Sequence, residues 1–154
     1  MGWFDWLRST PAPVIDHPLF GQVRASHRPR QGSWLWETLG LVATPRGDGG
    51  LTFDAGENGP NVSHERQWNT IIEQLDSLTE AAAPLIASDL SHWDEVPFDP
   101  ASPWDELEWD GAHLGGDTSS QDEIALCYGC RHWPDALITV YFENGRPVLS
   151  LLDD

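Results

Sequence analysis

Residues 63–78 read SHERQWNTIIEQLDSL, and this stretch decides the fold. Trp68, Ile71, Ile72, Leu75 and Leu78 recur at the three- and four-residue spacing of one helix face. Glu65, Asn69, Glu73, Gln74 and Asp76 fall on the other side. A helix with one apolar stripe has to lay that stripe on another element. Ser63 is the expected N-cap. Its capping box is incomplete, because Arg66 rather than Glu stands three residues on. Thr79 is placed to cap a second helix, with Pro84 ending or kinking the first part near Ala83 and a further turn or two over Leu85 to Leu90.

Both flanks of the helix read as strands. Phe20 to Ala25, Ser33 to Ala43 and Leu51 to Asp54 are short β segments divided by turn-like stretches at His27 to Gly32 and Pro45 to Gly50. After the helix, His92 to Trp104 carries three prolines and three acids and reads as a surface loop. Glu106 to His113 alternates, with Leu107, Trp109 and Gly111 one way and Glu106, Glu108 and Asp110 the other, as in a half-buried strand with an acidic outer face. Glu123 to Tyr128, Ala136 to Glu143 and Val148 to Leu152 complete the set, and Asn144-Gly145 is a type I′ hairpin signal. The expected fold is therefore α+β. It is an antiparallel sheet of about six to seven strands with a central amphipathic helical segment packed on one face.

A chain of 154 residues fits one domain. It buries roughly 70% of its unfolded surface without help from a metal or a disulfide. Residues 1–15 read as an aromatic segment (Trp3, Phe4, Trp6, Leu7) followed by a linker holding Pro11 and Pro13, and residues 16–154 as the domain. The nine tryptophans read mainly as packing, with a minority available as anchors for a partner. The opening MGWFDWLRST has neither a basic nor an apolar region of a signal peptide, and no apolar run is long enough to span a bilayer. A reducing cytoplasmic setting is the default expectation.

The charge is −17 and unevenly spread. Residues 1–46 hold five arginines against Asp5, Asp16 and Glu37, whereas residues 47–154 hold three arginines against 22 acids. No lysine occurs anywhere, and no Arg or Lys lies between Arg66 and Arg131. Such a field repels nucleic acid and anionic membranes, whose binders need basic patches. It attracts a basic protein and speeds the encounter. The plainer account of the same acids is solubility.

Cys127-Tyr128-Gly129-Cys130-Arg131-His132 is the most chemical-looking run. A Cys-x-x-Cys pair serves as a redox dithiol or as half of a zinc site, with His132 as a third ligand and Arg131 favouring a thiolate. Against both stands the position of the pair, at the end of a strand that leads into another strand, with no second ligand pair. The plainer account is ordinary buried or turn cysteines. Asp94 and Glu95, with His92, Asp99 and Asp105 nearby, offer oxygen and imidazole ligands but match no calcium-loop spacing. There is no Gly-x-Ser-x-Gly elbow, no phosphate-binding loop and no zincin helix. No catalytic residue and no cofactor is assigned.

Three places carry a resemblance. They are His17-Pro18-Leu19-Phe20-Gly21 before a strand, Gln67-Trp68 at the start of the helix, and the ending from Trp133 to Val148, WPDALITVYFENGRPV. In this layout the chain resembles small bacterial proteins grouped in domain-of-unknown-function families, some of which look like immunity proteins of polymorphic toxin systems. The resemblance implies an α+β fold and no established catalytic residues. Charge and resemblance together lead to the expectation of a small, acidic, non-catalytic binding protein. In that role it is an immunity-like inhibitor docking a basic partner through Glu106, Glu108, Asp110, Asp94 and Glu95. The alternative is a metal-binding or redox protein using Cys127, Cys130 and His132.

Overall fold

The computed structural model describes residues 12–27, 34–93, 96–115 and 123–154. Among these residues nine strands and one long helix follow in the order β1 (Val14–His17), β2 (Gly21–His27), β3 (Trp34–Thr38), β4 (Val42–Thr44), β5 (Gly47–Ala55), α1 (Val62–Leu90), β6 (Leu107–Leu114), β7 (Glu123–Cys130), β8 (Trp133–Glu143) and β9 (Arg146–Asp153). A single turn of 3-10 helix, Pro103–Asp105, leads into β6. The strands form one sheet in the order β1-β2-β3-β5-β6-β7-β8-β9, with β4 paired to β5. Every pairing is antiparallel except β5 with β6.

That exception follows from connectivity. Parallel neighbours need a long crossover, and α1 supplies it. The fold is thus α+β with one helix on a mostly antiparallel sheet, but the sheet has nine strands rather than six or seven. Two differences account for the count. Val14–His17 is a strand where none was expected, and the single strand expected over Ser33 to Ala43 is broken between β3 and β4. Four of the six residues of the expected turn at Pro45 to Gly50 are strand, since β5 already begins at Gly47. The aromatic segment Trp3 to Leu7 lies outside the described residues.

The helix is continuous, without the expected break. Pro84 lies on its exposed side, where water can serve the carbonyl left without an N–H partner, while Ala82, Ala83, Ile86 and Leu90 carry the buried stripe past it. The cap sits two residues before Ser63. Asn61 accepts the Ser63 N–H at 2.9 Å, and the His64 ring accepts the Asn61 N–H at 3.0 Å. The box is therefore closed by an imidazole where a Glu was looked for. The same ring is fully buried and donates from Nε2 to the Asp54 carbonyl at 2.8 Å, which ties the start of α1 to the end of β5.

One face of the sheet meets the helix. Trp36, Leu51, Phe53, Leu107, Leu114, Leu126, Tyr128, Ile138, Val140 and Phe142 point inward to Trp68, Ile71, Leu75, Leu78, Ala82 and Ile86. The α1 backbone comes closest to β9. Thr79 and Tyr128 are a buried polar contact in this core, with the two hydroxyls 2.9 Å apart. Burial holds the Tyr128 phenol far above its ordinary pKa. At the β5–β6 seam a Cβ on Gly111 would run into the Gly50 carbonyl, so glycine sets the approach of these strands. Among the described residues, no helix is long and apolar enough to cross a membrane.

Candidate functional site

Among the described residues no helix lies on the other face of the sheet, and strand register arranges what that face displays over β6 to β9. Side chains alternate, so matched positions form rows across the strands. Glu108, Gly129, Leu137 and Asp153 make one row. Gly111, Cys127, Thr139 and Leu151 make the next, with Asp110 beside them in the bulge of β6. His113, Ala125, Tyr141 and Leu149 follow. Glu123, Glu143 and Arg146 close the set. The two middle rows are largely apolar, and acids bound them on both sides.

The large apolar side chains at the β8–β9 end of these rows are open to solvent, while Ala125 and Gly111 are buried. Tyr141 is 40% exposed, Leu149 49% and Leu151 44%, with Val148 beside them at 49%. Folding gains nothing from leaving four large apolar side chains in water. The acids beside them are equally open. Among the described residues, Asp110, Glu123, Glu143 and Asp153 make no salt bridge, and Glu108 has only a loose contact of 3.9 Å with Arg131.

The half of the same face built by β2, β3 and β5 is different, because its polar groups satisfy one another. Arg24 donates to Glu37 across β2 and β3 at 2.6 Å. Thr52 Oγ1 and His113 Nδ1 are 2.7 Å apart, and His113 Nε2 lies 3.0 Å from the Asp54 carboxylate. With Nε2 donating to Asp54, Nδ1 accepts from the Thr52 hydroxyl. This hydroxyl–imidazole–carboxylate order is the one that activates a nucleophile. Acyl transfer also needs free N–H groups to hold an oxyanion. Thr52 sits mid-strand in β5, flanked by β3 and β6, where backbone groups are engaged in the ladders. Together the two contacts fix the His113 ring.

The sequence-expected binding residues divide. Glu108 and Asp110 are exposed on the outer face as the alternation requires. Glu106 is not: it precedes β6, is 2% exposed, and clamps the β7–β8 turn. Its carboxylate accepts the His132 N–H at 2.8 Å and lies 2.6 Å from the His132 ring, while its carbonyl accepts the Arg131 N–H at 3.0 Å. A buried carboxylate needs such partners, and these keep it from the surface. Asp94 and Glu95 lie outside the described residues.

The cysteine cluster is not brought together. Cys127 and Cys130 are three apart on one strand, so they leave it on opposite faces. Cys127 points outward, 3.8 Å from Thr139 Oγ1, whereas Cys130 is buried in the core and His132 is taken by Glu106. Among the described residues no group of three His, Cys, Asp or Glu side chains is placed to hold a metal ion. Burial raises the pKa of both thiols, and the Glu106 and Glu108 charges add to it for Cys130, pushed up to about 11. The expected thiolate-favouring effect of Arg131 is therefore outweighed.

Compared with known proteins, the chain matches no family model, and no curated protein or solved structure is similar to it.

Tyr141, Leu149 and Leu151 escaped the sequence reading, although a signal for them exists. ALITVYF over residues 136–142 is apolar on both faces of a strand. Such runs belong to sheets covered on both sides, whereas among the described residues one long helix covers one face.

Proposed function

We propose that this protein is a small acidic binding module that docks a basic protein partner on the outer face of β6 to β9, in the manner of an immunity-like inhibitor. One observation carries the reading: two apolar rows (Tyr141, Leu149, Leu151 with Thr139 and Cys127) lie between acids that the chain leaves unpaired. Interfaces combine an apolar centre with a polar rim, and complementary charge steers the encounter. The acids explain the sign of the partner, and the exposed apolar side chains explain what solubility alone does not. Two free thiols on opposite faces of one strand suit a reducing cytoplasm.

The test is quantitative capture from a lysate of the source cell at low salt, with the wild-type chain and a Tyr141→Ser/Leu149→Ser/Leu151→Ser variant. The expected result is one stoichiometric basic protein, held by wild type, released by a salt step and lost from the variant. Equal capture by both chains, or a complex indifferent to salt, would overturn the reading.

A further inference from the structure

The outer face is not flat. In the row His113–Ala125–Tyr141–Leu149 a methyl group stands between an imidazole and a phenol ring, so the sheet is notched at Ala125. The notch opens into a cavity of about 360 Å³. Ala125 and Ile124 lie in its lining, with His113 on the β6 side and Tyr141, Val148 and Leu149 on the β8–β9 side. Asp54, Glu123 and Glu143 also line it. Among the described residues, the arginine nearest in register is Arg146, opposite Glu143 across the hairpin and exposed. The His113 wall is fixed in place by Thr52 and Asp54.

From this geometry we infer that the notch is a receptor for one arginine side chain of the basic partner, which enters along its apolar stem and ends among Asp54, Glu123 and Glu143. The inference rests on the docking reading above and names its anchor. Three features select the ligand. The apolar lining suits a methylene stem that keeps its charged head at the rim. The tyrosine ring offers a face to a cation. Carboxylates on β5, β7 and β8 surround the opening, a spread that a planar five-donor guanidinium meets better than a compact, strongly hydrated ammonium. Arginine is also, with tryptophan and tyrosine, one of the side chains that most often dominate an interface when seated in a desolvated pocket.

The test needs no partner. N-acetyl-arginine methylamide is titrated into the full ¹⁵N-labelled chain, with the citrulline and lysine analogues as comparisons, and amide shifts are followed at Ala125, Tyr141 and Leu149. The expected result is saturable shifts confined to the notch, with the citrulline analogue weaker by about fivefold or more and lysine between the two. A Glu123→Gln/Glu143→Gln variant, altered only at exposed positions, is expected to lose most of the preference for arginine over citrulline. Ala125→Leu, which fills the notch, is expected to abolish the shifts. If Ala125→Leu does not fold, Tyr141→Ser stands in for it with the same expectation. Absence of saturation, equal shifts for arginine and citrulline, or shifts centred elsewhere would overturn the inference. Should the notch fail while salt-sensitive capture by wild type persists, the docking face stands and only its anchor is wrong. Should the notch bind arginine while capture fails, the site is real and the partner reading is wrong.

Discussion

The two faces of strands β7, β8 and β9 are built from the same kind of residue and do opposite work. Inward, Leu126, Tyr128, Ile138, Val140 and Phe142 are buried against α1, and the buried Tyr128 hydroxyl has Thr79 for a partner. Outward, one residue away along each strand, Tyr141, Leu149 and Leu151 stand in water beside unpaired acids. A strand alternates strictly, so neighbouring apolar residues cannot both serve one core. The difference teaches that apolar content alone does not mark a core. The inner set contributes to folding, and the outer set forms the surface we propose for docking.

Substitutions should separate the two faces, and the largest effect belongs inside. Phe142→Ala is expected to cost about 3–5 kcal/mol, read as a fall in the denaturant midpoint, because it leaves a cavity beneath α1. A small loss there would mean that the inner face is loosely packed and the contrast overstated. The next effect is alkaline. The buried Cys130 thiol titrates near 11 in the fold and near 9 when unfolded. Between these values the unfolded chain gives up the proton that the folded chain keeps, so stability falls as pH rises from about 9 to 11. Tyr128, shifted in the same direction, adds to the fall at higher pH. Cys130→Ala should flatten the first part of that decline, whereas Cys130→Ser, which leaves a hydroxyl in the core, should lower stability at every pH.

At the hairpin joining the two outer strands, Asn144 and Gly145 both adopt positive φ, 50° and 73°. Gly145→Ala should cost about 1 kcal/mol of folding stability, measured by thermal or denaturant unfolding. On the outer face itself, Leu151→Ser should change stability by less than about 1 kcal/mol while weakening capture of the partner. A larger destabilisation would show that the outer rows belong to the fold after all. The smallest effect is expected at Arg46, whose guanidinium meets Asp76 through two hydrogen bonds of 2.8 and 3.0 Å and holds that carboxyl below its usual range. The pair is open to solvent, so Arg46→Ala should cost no more than about 1 kcal/mol.

Much of this arrangement was legible in the sequence. The helical spacing from Trp68 to Leu78 located α1, and Asn144-Gly145 located its hairpin to the residue. The alternation after Glu106 located β6 and placed Glu108 and Asp110 outside. Glu106 misled because alternation says which way a side chain points only within a strand, and the strand begins one residue later. His64 was unreadable as a cap because its role depends on the Asp54 carbonyl, ten residues back and on another element. The notch at Ala125 was hidden for a related reason. It exists only when register sets an alanine of β7 between a histidine of β6 and a tyrosine of β8, and local pattern carries no register.

The most direct measurement is amide hydrogen exchange of the full chain, alone and saturated with the basic protein that the salt step releases. Slower exchange confined to Glu123–Ala125, the C-terminal half of β8 and β9, with the exposed side of α1 unchanged, is the predicted result. Protection on α1, or none on β8 and β9, would contradict the assignment of the outer face as the docking surface.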